Sequence, residues 1–203
     1  MVGDYHEKVM GARPPTIRAR RAGRAGSGIL TGMTTDVALN RVDIAAVGAL
    51  VSAVRDDPSR AATTWAAHVR WQGGFTSESK VRGFDPVPSD EPAALGGGDT
   101  APNPVEQLLG ALGNCLAVGY AANATVAGIA LDSLEIDVKG DVDLHVFLGL
   151  AEGHAGFDSI TARVRIKSGA PQADLEALHA KVIASSPVGH TLGAAVPVTI
   201  ELA

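Results

Sequence analysis

The sequence predicts an α+β fold, and three observations carry that prediction. Alternating apolar and polar runs mark several strands, three stretches have helical spacing, and the two kinds of element follow no regular strand–helix–strand order. The 203 residues suit one domain, and 46% apolar with 19% charged residues is ordinary globular composition. Aromatic content is only 4%, so the core must be built from Ala, Val, Leu and Ile. No internal repeat is visible.

Charge and cysteine content narrow the function classes. The net charge of −5 argues against a general nucleic-acid binder. Lys8, Arg13, Arg18, Arg20, Arg21 and Arg24 face only Asp4 and Glu7 near the start, which marks a basic extension on an acidic domain. Residues 1–36 lack periodicity and are read as a disordered extension, with a basic arm for nucleic acid or an acidic membrane surface as the other reading. Residues 37–203 are read as a single domain. The single cysteine forbids an intramolecular disulfide and a cysteine-based zinc cluster within one chain, and it suits a reducing compartment. No segment reads as a signal peptide or reaches the ~18 uninterrupted apolar residues of a membrane span, so the expectation is a soluble, cytoplasmic protein without membrane association.

The elements follow in order. A helix is expected over 40–55, with Asn40 as N-cap and Ile44, Val47, Val51 and Val54 as its apolar stripe. The sheet and central-helix core is expected over 63–203. Its first strand alternates Trp65, Ala67, Val69 and Trp71 with polar neighbours, and Gly73-Gly74 turns the chain into a partner strand at 75–82. Residues 85–103 are rich in Pro and Gly and are expected to form a structureless stretch lining a site. Asn103, Pro104 and Glu106 then form a capping box that opens a long helix, stopped by Gly128. Strands at 133–140 and 159–167, a helix at 172–185 and a closing strand at 196–202 complete the chain.

The long helix places Val105, Leu108, Leu112, Cys115, Gly119, Ala122 and Val126 on one face, widened by Leu109, Leu116 and Tyr120. Gly110, Gly113 and Gly119 each cost roughly 1 kcal/mol of helix propensity, which fits a helix that another element approaches closely, at a core or a subunit interface. Cys115 on such a face is either a small core residue or a nucleophile. Glu106 lies about 13 Å away along the axis and half a turn out of phase, so the two cooperate only across a two-fold axis.

The stretches WAAHVRWQGGF, GGGDTAPNPVEQLLGALGNCL, LDSLEIDVKGDVDL and SSPVGHTLGAAVPVTIEL, in this order, resemble the family of osmotically inducible protein C and organic hydroperoxide resistance proteins (OsmC/Ohr). Residues 1–60 lie outside the resemblance. It implies an OsmC-like fold, with curved antiparallel sheets packed around a long central helix in an intertwined homodimer whose two sites lie at the interface. It also implies a peroxiredoxin-like activity in the oxidative stress response. The helix cysteine, matched by Cys115, attacks an organic hydroperoxide and becomes a sulfenic acid, and a second cysteine in a Cys-Pro-Val turn closes a disulfide. A glutamate, matched by Glu106, and an arginine orient the thiolate.

This chain departs from that pattern. Ser186 holds the second cysteine position, so an external thiol reductant would have to resolve the sulfenic acid. The loop 85–103 has no arginine, leaving Arg82 and Arg70 as candidates, with Arg82 assigned. Ser186, His190 and Leu112 are expected to form the substrate pocket. The default reading of His190 is a solvent-facing turn residue, and Glu106 is equally read as a plain capping residue. His145 and His154 suit no zinc spacing, Glu135, Asp141 and Asp143 read as a solvated strand face, and Gly96-Gly97-Gly98-Asp99 lacks the spacing of a nucleotide loop. No cofactor and no metal is implied. Two functions stand side by side at this point: thiol-dependent reduction of a small organic hydroperoxide, or non-catalytic binding of a small apolar ligand at the dimer interface with Cys115 as a packing residue.

Overall fold

A 23-residue helix, α2 (Pro104–Val126), organises the chain. The computed structural model describes residues 38–202, so the basic extension read over 1–36 lies outside the described residues. The capping box forms as the sequence requires: Glu106 N–H donates to Asn103 Oδ1 at 2.9 Å, and Asn103 N–H donates to Glu106 Oε2 at 2.8 Å. Gly128, at φ +70°, supplies the left-handed stop just past the helix end.

Before α2 come α1 (Ile44–Asp56) and an antiparallel sheet of β1 (His68–Gly73), β2 (Thr76–Lys80) and β3 (Val87–Ser89), in the order β1-β2-β3. After it, β4 (Ser133–Val142) and β5 (Phe157–Lys167) form an antiparallel pair running from Ser133↔Lys167 to Val142↔Phe157. The short α3 (Leu144–Phe147) lies between them, and α4 (Gln172–Ser185) and α5 (Pro187–Gly193) follow. This is the α+β arrangement expected, with both sheets antiparallel.

The core lies in the second half of the chain. Leu112, Leu116, Tyr120 and Ala124 recur every four residues along α2 and are buried with Ile129, Leu178 and Val182. Leu134, Ile136 and Val138 of β4 and Ile160, Val164 and Ile166 of β5 pack against them, the alternation the sequence shows. Helix α4 presses close: a Cβ added to Gly119 would lie 3.0 Å from Val182 Cγ1. Tyr120 is fully buried, its hydroxyl meets His179 Nδ1 on α4, and burial raises its phenol above the ordinary range.

Several expectations are corrected. The expected stripe of α2 is buried only in part, because β4 and α4 cover the Leu112–Leu116–Tyr120–Ala124 ridge, while Cys115 is half-buried and Val105, Leu108 and Val126 stay exposed. Asn40 does not cap α1. Asp43 does, accepting from Ala46 N–H at 3.0 Å, because Asn40 turns away to the far end of α2. There its amide donates to Ile129 O at 2.9 Å and Thr125 Oγ1 at 3.1 Å and accepts from Leu131 N–H at 2.9 Å. The first strand starts at His68, leaving Trp65 and Ala67 ahead of it, and its partner covers 76–80. The stretch 85–103 is not structureless: β3 pairs with β2, and a short 3₁₀ turn spans Ala93–Leu95. No strand forms at 196–202, since none of the described strands pairs with it, and its apolar side chains lie bare, Ile200 at 92% exposure.

Candidate active site at Cys115

Cys115 is half-buried at the midpoint of α2, one helical position away from the buried Leu116. It opens into a cleft of about 410 Å³ between α2 and the α4–α5 junction, lined by Val118, Ala122, Val182, Ser186 and Pro187 among others. No charged side chain lines it among the described residues. Ser186 forms the opposite wall, with its Oγ 3.4 Å from Cys115 Sγ although 71 residues separate them.

The α4–α5 junction explains how Ser186 reaches the sulfur. Pro187 cannot donate a backbone hydrogen bond and starts α5 with its φ already set, and Ser186 becomes the N-cap. Its hydroxyl accepts from Gly189 N–H at 3.1 Å, which fixes the side chain against α2. Ser186 is buried, as are Val182 and Leu178 one and two turns earlier on α4.

The other predicted residues are not gathered here. Leu112 lies in the core one turn before Cys115 and underlies α5 rather than lining the cleft. His190 is on α5, not in a turn; it is exposed, and its Nε2 lies 3.1 Å from Ala184 O, away from the sulfur. Glu106 is occupied by the capping box and lines a separate groove of about 710 Å³ between α2 and β4. Arg82 sits in the turn two residues past β2 with φ +50°, its guanidinium carbon 4.7 Å from the centre of the Phe84 ring. Arg70 pairs with Glu78 at 2.7 Å on the outer face of the hairpin. Within one chain, then, Cys115 and Ser186 meet, and Glu106 and Arg82 stand elsewhere.

Sequence reasoning missed Asp90. Its buried carboxylate accepts from Thr100 Oγ1 at 2.8 Å, Glu91 N–H at 2.8 Å, and Gly98 and Thr100 N–H at 3.1 Å each. These bonds, the one from Thr100 Oγ1 first, hold its carboxyl below the ordinary range. Asn103 also donates to Glu91 Oε2 at 3.2 Å, so the loop is fastened to the start of the cysteine helix. The only local signal was an aspartate facing a glycine run whose amides need acceptors.

The family model for OsmC-like proteins matches residues 96–201, just over half of the chain, and no curated protein matches it. Among solved structures, an OsmC-like protein from Mycoplasma pneumoniae superposes at TM-score 0.56 with 17% identity, over 64% of this chain and 88% of that one. An OsmC-like protein of unknown function from Vibrio cholerae gives 0.53 at 10% identity, over 64% and 94%. An organic hydroperoxide resistance protein OsmC from Legionella pneumophila gives 0.50 at 20% identity, over 64% and 91%. At these identities the structures speak for the fold, while the family match covers the span from the glycine run before α2 through Cys115 and Ser186. The chain belongs to the OsmC-like family.

Proposed function

We propose that the chain is a one-cysteine thiol protein that reduces small organic hydroperoxides and is regenerated by an external thiol. The observation that carries the reading is the placement of Cys115 Sγ in an apolar cleft, 3.4 Å from a buried hydroxyl. The thiolate of Cys115 attacks the distal peroxide oxygen, the O–O bond breaks, and the alkoxide leaves as an alcohol after taking a proton. The sulfur is left as a sulfenic acid. A thiol then condenses with it, releasing water and forming a mixed disulfide, and a second thiol frees Cys115 as the external disulfide departs. The apolar lining suits the alkyl group of the peroxide.

The working unit in this reading is a homodimer. Val69 and Trp71 on β1, Val118 on α2 and the segment 196–202 are bare within one chain, and a second copy is what covers them. Pairing would also be what brings Glu106 and Arg82 of one copy towards Cys115 of the other. The absence of charged residues from the lining of the Cys115 cleft among the described residues favours the second reading, an apolar ligand site in which the sulfur only packs. Peroxide consumption separates the two. With an alkyl hydroperoxide and a dithiol, the protein is expected to consume peroxide and Cys115→Ser to fall to the background rate; equal rates in both proteins reject catalysis and leave the ligand site.

A further inference from the structure

We infer that Ser186 is a positioning residue for the sulfur chemistry: its buried hydroxyl donates to Cys115 Sγ, and because it stands where a thiol would close a disulfide, it leaves the oxidised sulfur to a small external thiol. The inference rests on Cys115 being the nucleophile.

Three features of the junction support it. Ser186 is only 5% exposed, so its hydroxyl has little access to water. One acceptor position of that hydroxyl is taken by Gly189 N–H, and its only other partner among the described residues is the sulfur. Against a thiolate, which has no proton to offer, the hydroxyl must be the donor. Residue 189 is also constrained: a Cβ there would come within 3.0 Å of Ser186 Oγ and 3.2 Å of Ser186 Cβ, pushing the hydroxyl from its place. Glycine at 189 therefore serves the position of Ser186.

The same geometry sets the fate of the sulfenic acid. The chain contains one cysteine, so no thiol of its own can condense with Cys115 in the same molecule. The group 3.4 Å away is an alcohol, which donates a hydrogen bond but forms no disulfide. The cleft gives an incoming thiol a route to the sulfur without an ion pair to make or break.

Full-length variants test this with two readouts that do not depend on peroxide turnover. The first is alkylation of Cys115 by iodoacetamide at neutral pH, which follows the thiolate. Ser186→Ala is expected to slow it about tenfold, the effect of losing a hydrogen bond to a charged group. Ser186→Asp keeps an acceptor for Gly189 N–H but has no proton for the sulfur, and should be as slow; Ser186→Thr should restore the rate. An unchanged rate in Ser186→Ala, or a full rate in Ser186→Asp, overturns the donor role. The second readout is intact mass after one equivalent of alkyl hydroperoxide. Wild type given 2-mercaptoethanol should carry a mixed disulfide, and Ser186→Cys without added thiol should lose two hydrogens as an internal disulfide. Failure of that disulfide to form overturns the juxtaposition, even if the alanine variant does not fold. Either failure with Cys115-dependent peroxide loss intact sinks only the role of Ser186, whereas peroxide loss unchanged in Cys115→Ser sinks the reading beneath it.

Discussion

The core around α2 and the β1–β2 hairpin treat their apolar residues in opposite ways. From α2 onwards, Leu112, Leu116, Tyr120, Leu178 and Val182 are buried against one another and against β4 and β5. In the β1–β2 hairpin, Val69 is 61% and Trp71 74% exposed, although they alternate with polar residues as regularly as any strand in the protein. The polar face of that hairpin is paired, Arg70 to Glu78, and the apolar face is not. Patterning of this kind encodes a buried face whether or not the chain itself supplies the cover. The core around α2 is closed within one copy, while the apolar side chains of the hairpin and of residues 196–202 stay bare in it.

Substitutions can widen or erase this contrast. The largest effect is expected in the core: Tyr120→Ala should cost about 3–5 kcal/mol, as large aromatic truncations in cores do, read from denaturant unfolding. A smaller loss, about 1–3 kcal/mol, is expected for Asn40→Ala, which strips three hydrogen bonds from the join between the segment ahead of α1 and the end of α2. An unchanged midpoint there would show that the join contributes nothing.

Acidification should act more locally. Folding holds the Asp90 carboxyl below its usual 3.8, so its stabilisation of the 90–100 loop is fully present above that value. It is lost as the pH falls through the lower folded value. Amide exchange at Gly98 and Thr100 should therefore accelerate in strong acid relative to the rest of the chain, and Asp90→Asn should show that faster exchange at neutral pH. The smallest effect on a single chain is expected for Trp71→Ala, within about 0.5 kcal/mol as for other exposed positions. Its consequence should appear as weaker self-association in sedimentation, with a stability that varies with protein concentration. A stability loss independent of concentration would mean that the hairpin face is covered from within the chain.

How much the sequence disclosed follows the range of the interactions involved. The box at Asn103, Pro104 and Glu106, the stop at Gly128 and the alternation in β4 and β5 depend on neighbours a few residues away, and all are readable. Asn40 has the right chemistry for an N-cap, but its partners lie 85 to 91 residues further on, where no local rule points. Asp90 sits in a segment whose proline and glycine content reads as loop, and the carboxylate that organises it is visible only with its acceptor role filled. The segment 196–202 has strand periodicity without a strand, since periodicity records burial and not pairing. Composition and spacing leave Cys115 and Ser186 each ordinary; only the resemblance, which aligns Ser186 with a thiol, links two residues 71 positions apart.

Trapping the oxidised sulfur tests the central claim most directly. The protein would be exposed to one equivalent of an alkyl hydroperoxide in the presence of dimedone and the peptide containing Cys115 examined by mass spectrometry. A dimedone adduct on Cys115, formed as the peroxide disappears, is the predicted result. An unmodified Cys115 beside undiminished peroxide, in protein shown to be folded and dimeric, would contradict it.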